Sequence, residues 1–179
     1  MKATGIVRRI DDLGRVVIPK ELRRTLRIRE GDPLEIYTTN EGEVIFRKYS
    51  PIGELGDFAS TYVETLSKIC NFGVCITDRD NIIALSGLSK KEFLEKPVSR
   101  DLEELMNNKN SYNSSADSKK VAILDTSSEY NAAVVYPIIS EGDTIGSVVF
   151  VSKSGITAGE VEAKLAESAA VFLGKHMEG

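Results

Sequence analysis

The first fifty residues alternate like a small β protein, yet they offer only 19 apolar side chains to bury. That shortage constrains the fold more than any other feature of the chain. Residues 5–10 (GIVRRI) read as a strand, Asp11-Asp12-Leu13-Gly14 supplies turn chemistry, and residues 15–18 (RVVI) read as the returning strand. Pro19 stops that strand and suits the first turn of a helix, where its missing N–H costs nothing. A second hairpin follows over residues 34–39 and 43–48, around Asn40-Glu41-Gly42. The order is β-β-α-β-β. A unit this small buries too little surface to stand alone. The reading therefore predicts dimerisation, with intertwined hairpins as one solution.

Charge is distributed unevenly. The whole chain of 179 residues has a formal net charge of −4, but residues 1–50 carry +3 and residues 51–179 carry −7. Residues 2–29 alone hold nine basic side chains against three acidic ones. At about 100° per helical residue, Lys20, Arg23, Arg24 and Arg27 fall within one arc of roughly 100°, with Leu22 and Leu26 opposite as the buried anchor. Arg27 stands at the helix end or just past it. Arg8 and Arg15 alternate with apolar neighbours on the strands. Arginine's planar fork pairs bidentately with phosphate or guanine, so this face suits a nucleic acid. A solvated charged face has the same pattern, and the pattern alone leaves both readings open.

The segment TGIVRRIDDLGRVVIPKELRRTLRIREGDPLEIY resembles the swapped-hairpin DNA-binding domain of the AbrB-type transition-state regulators. The resemblance covers nearly all of residues 2–50 and is most specific at LGRVVIP and ELRRTL. It implies an intertwined dimer that grips double-stranded DNA through arginines and reads shape and deformability over a strict base code. Matched by position, the DNA-contacting residues are Arg8, Arg15, Arg23 and Arg24, with Lys20 and Arg27 as auxiliaries.

Ser50-Pro51-Ile52-Gly53 breaks the strand pattern. The expected boundaries are a DNA-binding domain over 1–50, a linker over 51–53 and a second domain over 54–179. Leu55, Phe58, Tyr62, Leu66 and Ile69 recur at helical steps. A hairpin is predicted over 74–77 and 82–85 around Asp78-Arg79-Asp80-Asn81. Ser89-Lys90-Lys91-Glu92 has the spacing of a capping box before a short helix, and residues 101–106 read as another. Residues 107–120 are a polar loop broken only by Tyr112 and Ala116. A loop of that length is functional or poorly ordered, so a ligand lid and plain mobility both stay open. A short strand is predicted over 121–124, then a long hairpin over 131–139 and 144–152. Thr157-Ala158-Gly159-Glu160 has the spacing of a second capping box. Val161, Leu165, Ala169, Phe172 and Leu173 stripe the closing helix. Terminal helices flanking a mainly antiparallel sheet make an α+β domain.

This layout, with the segments VCITDRDNIIALSG and IISEGDTIGSVVFVSK, resembles a GAF domain, a module for assembly or small-molecule sensing. The Asn-Lys-x-Asp signature for cyclic nucleotides is missing and no cysteine is placed for a bilin. The ligand is unknown, no cofactor is expected, and a GAF-like domain that binds nothing stays open. The two resemblances in this order imply a regulator of sporulation genes in endospore-forming bacteria, acting in the forespore and both activating and repressing. A dimer of dimers, a homotetramer, follows if the GAF-like halves pair through their outer helices.

Other classes find little support. One histidine and two cysteines cannot assemble a Cys/His zinc site, so no metal is expected. His176 reads as a cation at the C-terminal end of a helix dipole rather than as a catalyst. Cys70 and Cys75 make no disulfide framework. There is no Walker A loop, nucleophile elbow or carboxylate–histidine metal motif, so no catalytic residue is assigned and the chain is not read as an enzyme. The longest apolar run, residues 132–139, is too short for a bilayer, and no basic start leads into an apolar segment. The expected address is the cytoplasm, on the nucleoid. Two alternatives stand beside the regulator: an antitoxin built on the same swapped hairpin, and a thiol-dependent GAF reductase.

Overall fold

The computed structural model describes residues 5–115, 118–126, 129–153 and 156–178. Ala116, expected as an apolar break in the polar loop, lies outside them. The chain divides into two compact units, Met1–Tyr49 and Ser50–Gly179.

The first unit holds helix α1 (Lys20–Thr25) and strands β1 (Leu34–Thr38) and β2 (Val44–Lys48). Pro19 precedes the helix at φ −56, and its carbonyl accepts the first helical bond from the Arg23 N–H at 2.9 Å. Arg27, in left-handed backbone at φ 53, ends it, and the Ile28 N–H reaches back to the Arg23 carbonyl at 2.7 Å. This is the closure that usually selects glycine. β1 and β2 pair antiparallel, Leu34 opposite Lys48 and Thr38 opposite Val44. The Lys48 ammonium donates to the Arg27 carbonyl at 2.9 Å and pairs with Asp32 at 3.2 Å, which ties the hairpin to the helix end.

Two expectations change in this unit. Within one chain residues 5–18 form no strand: only the turn of the first hairpin is made, closed by the Asp11 N–H on the Arg15 carbonyl at 3.1 Å. Leu22 is only half-buried and Leu26 is 57% exposed, so the anchor expected under the helix is not formed. The cause is the shortage of apolar surface. A two-stranded hairpin needs a further strand or a packed face to hold, and Val7 (86% exposed) and Val17 (70%) have neither.

The second unit opens with a 3-10 turn, Pro51–Leu55, which takes in the whole stretch 51–53 expected as a linker. Ile52 is fully buried there, so its apolar side chain outweighs the break signalled by Pro51 and Gly53. The remaining elements are α2 (Gly56–Cys70), β3 (Gly73–Asp78), β4 (Ile82–Ser86), α3 (Lys90–Phe93), α4 (Arg100–Asn107), β5 (Tyr112–Asn113), β6 (Tyr130–Ser140), β7 (Asp143–Lys153) and α5 (Glu160–His176). The strands form one antiparallel sheet in the order β4-β3-β7-β6-β5. Glu141 and Gly142, at φ 49 and 86, make the tight turn between β6 and β7, the left-handed geometry that two-residue hairpins require.

Helices α2 and α5 cover one face of the sheet, where Val63, Leu66, Ile76, Phe150, Ala169 and Leu173 share a core. The other face is filled by Phe93, Leu102, Met106 and Ile123 against Cys75, Val135 and Val149. Thr77 and Ser147, fully buried on neighbouring strands, satisfy each other through their hydroxyls at 2.8 Å.

The helix starts depart from their expected caps. Ser89 makes no side-chain cap, and α3 is a single turn. Gly159, not Thr157, precedes α5, where the Glu162 carboxylate accepts from the Gly159 N–H at 2.7 Å. The register of α5 is set by burying Ala166, Ala169, Ala170 and Leu173 against the sheet, and that places the first turn at Glu160. Residues 121–124 are no strand, only a bridge between Ala122 and Asn131, although Val121, Ile123 and Leu124 are buried. In the polar loop Tyr112 enters β5, and its hydroxyl donates to the Lys119 carbonyl at 2.9 Å.

Candidate nucleic-acid interface

The turn at residues 11–15 is organised by one carboxylate. Asp11 Oδ1 accepts from the N–H groups of Leu13 (3.0 Å) and Arg15 (2.8 Å), and Oδ2 accepts from Arg15 Nε at 2.7 Å. The Arg15 N–H first, and its guanidinium second, hold the Asp11 carboxyl below the usual carboxylate range. Arg15 is exposed and spends only Nε on Asp11. Its Nη groups are left to pair with a phosphate or a base edge.

Arg23 and Arg24 sit side by side on α1. Arg24 is exposed, while Arg23 is half-buried with its Nε enclosed and unpartnered. An enclosed donor without a partner is costly, so a bound acceptor would recover that energy. Arg8 lies on the open arm, exposed. Among the described residues the side chains of Arg8, Arg23 and Arg24 make no ion pair. Lys20 is exposed at the start of α1, and Arg27 falls past its end. Arg47 on β2 was not singled out from sequence. Its guanidinium lies 4.9 Å over the Tyr37 ring and opposite Glu35 on β1, a pair that cross-strand register would have found. Tyr37 donates to Glu35 at 2.8 Å, and that carboxylate raises the phenol's pKa.

In the second unit an aromatic cluster marks the outer side of α2 and α5. Phe58 stacks on Tyr62 at 5.9 Å and on His176 at 5.6 Å, and His176 stacks on Phe172 at 6.0 Å. His176 is in the last turn of α5 as expected, but it is also part of this ring stack. Phe58, Phe172, Val161, Val171 and Ile69 are exposed. Cys75 is fully buried and its thiol is pushed up to about 12 by desolvation. Burial, then Glu162, raises Cys70 as well. Among the described residues no helix is long and apolar enough to cross a membrane.

An arginine-bearing head that lacks a core of its own, followed by a folded α+β half, is the build of a DNA-binding transcription regulator. The chain is 56% identical to stage V sporulation protein T of Bacillus subtilis (strain 168) over 179 residues, covering 99% of each. It belongs to the stage V sporulation protein T family. Residues 54–178 match the family described as Stage V sporulation protein T C-terminal, transcription factor. Residues 7–54 match the one described as Antidote-toxin recognition MazE, bacterial antitoxin. The transition state regulatory protein AbrB of the same organism is 65% identical over 51 residues, 28% of this chain and 52% of AbrB. The second unit has the fold of the GAF domain from an Acinetobacter phosphoenolpyruvate-protein phosphotransferase (TM-score 0.55, 14% identity, 71% of this chain and 87% of that one). It also has that of a type II free methionine-R-sulfoxide reductase from Thermoplasma acidophilum (TM-score 0.53, 11% identity, 70% and 94%). The expected AbrB-type head, GAF-like body and sporulation-regulator class are thereby met.

Proposed function

We propose that this transcription factor grips double-stranded DNA through Arg8, Arg15, Arg23 and Arg24, presented by an intertwined dimer of residues 1–50. The observation that carries the reading is the combination of exposed cations and exposed apolar side chains on one small unit. A second copy would cover Val7, Val17 and Leu26 and double the basic surface. The arginines on an open arm, a turn and a short helix suit backbone tracking and shape readout better than a fixed base code. The regulator activates some sporulation genes and represses others, in the forespore cytoplasm and on the nucleoid. Residues 54–179 pair through the ring-bearing face of α2 and α5 to give a dimer of dimers, and they sense a small molecule.

Mobility shift with the full chain and sporulation promoter DNA tests this. Arg23→Ala or Arg24→Ala is expected to abolish or greatly weaken the shift while the circular dichroism stays unchanged. Wild-type affinity should fall with salt at a log–log slope near −0.9 per phosphate neutralised. A shift indifferent to both substitutions removes the assignment.

The antitoxin alternative draws on the match over residues 7–54. An antitoxin needs a tail to wrap a toxin, and here the following chain is folded into the sheet and helices of the second unit. A small toxin recovered from cells in stoichiometric yield would favour it. The reductase alternative needs an accessible thiolate, and the burial of Cys75 opposes one.

A further inference from the structure

A cleft of about 280 Å³ opens at the β6 edge of the sheet, where α5 closes over it. β5 ends its pairing at Tyr112, opposite Val135, so the next residues of β6 run on as an uncovered edge. Tyr136 and Ser111 face each other one register step beyond that last pair, and both line the cleft. Their hydroxyls make no hydrogen bond among the described residues. Two cations reach the same opening, Lys109 from the end of α4 and Lys175 from the last turn of α5. Lys109 donates to the Gly142 carbonyl at 2.5 Å and Lys175 pairs with Glu178 at 3.0 Å. An ammonium has three donors, so each lysine keeps two for a ligand. Among the described lining residues Glu167 is the one carboxylate, held by Lys164 at 2.8 Å. Glu178, outside the lining, also accepts from the Glu141 N–H at 3.4 Å, so a ligand carboxylate shares Lys175 with it. Pro137 and Ala170 give the cleft an apolar floor.

From this juxtaposition we infer that the cleft is a site for a small carboxylate bearing a short apolar chain. The carboxylate lies between Lys109 and Lys175 with the two hydroxyls, and the chain lies on the floor. The volume falls just below the roughly 300–1,000 Å³ of ordinary small-molecule sites, which limits the ligand to a small metabolite. Two sources share this chemistry, an amino acid and its deaminated acid. Only the amino acid carries an ammonium for Glu167 to meet. The inference rests on the sensing role proposed for the second unit and gives it a place and a ligand class.

Titration calorimetry on the full chain with L-valine, 3-methylbutanoate and isobutylamine tests it, since the three share a branched chain and differ in charge. Both carboxylates are expected to bind and the amine is not. Lys109→Asn and Lys175→Gln should each weaken binding about tenfold, the scale of one charge-assisted hydrogen bond. Lys153→Gln, whose cation lies over the Tyr130 ring at 5.3 Å, should bind as the wild type does. If valine binds tighter than 3-methylbutanoate and Glu167→Gln removes the preference, the amino acid is the source; equal binding assigns the deaminated acid. Melting curves confirm that each variant is folded. Binding that both lysine substitutions leave unchanged overturns the cleft while the sensing role stands. No heat from any probe at millimolar concentration also overturns it. Promoter mobility shift run in parallel keeps the DNA-binding reading separate from either result.

Discussion

Cys75 joins chemistry and stability in one side chain. It is fully buried on β3, and desolvation pushes its thiol up to about 12 from 9.0. In the unfolded chain the thiol loses its proton above pH 9, whereas in the native state it keeps it. The unfolded state therefore binds fewer protons between these values, and stability must fall as pH rises through that window. The slope from this group approaches about 1.4 kcal/mol per pH unit, and its contribution is fully present below pH 9. Urea denaturation of the wild type and Cys75→Ala at pH 8 and pH 10.5 checks this. The wild type is expected to lose more stability than the variant between the two, and equal losses would refute the assignment. The same burial should protect Cys75 from iodoacetamide until denaturant is added. Sequence places Cys75 at the start of a strand, where buried cysteine is common, and the structure buries it; which helices cover that face of the sheet is not written in the local pattern. Arg15, Arg23 and Arg24 were legible as cations beside a turn and on a helix. What was not legible is how Asp11 holds the turn, or that Arg23 Nε is enclosed.

At the scale of elements, α5 shows how a helix can be fixed by what it lacks. Gly174 packs so closely on β6 that a Cβ would run into the Ile139 carbonyl, and neither backbone can yield without moving the helix. Ala is the better helix former by about 1 kcal/mol, yet here the clash should dominate. Gly174→Ala is expected to lower stability by about 1–3 kcal/mol. Gly56, at the start of α2, has nothing within 4 Å of the position its Cβ would take. Gly56→Ala should raise stability by about 0.4–1 kcal/mol through the unfolded state. Denaturant midpoints for the pair check the opposite signs, and a gain at Gly174 would mean that the helix is not in register against Ile139. Long elements such as α2, α5 and the β6–β7 hairpin were readable from their periodicity, but the helical stripes named the wrong face in part. Phe58, Ile69, Val161 and Phe172 are exposed, and the sheet is met by smaller residues, Ala59 and Val63 on α2 and Ala166 and Ala170 on α5. The strands expected at residues 5–10 and 15–18 were not found in one chain because a strand is a property of its partner. The sequence carries the alternation, but the described residues of one chain offer these segments no further strand or packed face. The capping box expected at residues 157–160 failed for a related reason, since four-residue spacing cannot compete with the burial of Ala166, Ala169 and Leu173 in setting where α5 starts.

For the whole molecule, the two units expose apolar surface of different kinds, and each should answer to its own substitution. The head leaves Val7, Val17 and Leu26 open along an arm and a short helix. The body leaves Phe58, Phe172 and Val171 open on two long helices that are already packed on a complete core. If the head pairs by exchanging hairpins, the apolar side chains of its arm are structural in the dimer, and a charge there should unmake the DNA-binding surface itself. If the body pairs through the ring cluster, a charge at Phe172 should undo assembly and leave the sheet intact, because an exposed site tolerates polarity at little cost to the fold. Light scattering on the full chain is expected to give a tetramer for the wild type and a dimer for Phe172→Lys, with unchanged circular dichroism. The dimer should still shift promoter DNA, but with a shallower salt dependence, since fewer phosphates are neutralised per assembly. Val17→Asp should do the reverse, losing the DNA shift while the body still associates. A tetramer that survives Phe172→Lys would move the contact between bodies away from α2 and α5, and a normal DNA shift by Val17→Asp would rule out hairpin exchange as the source of the basic surface.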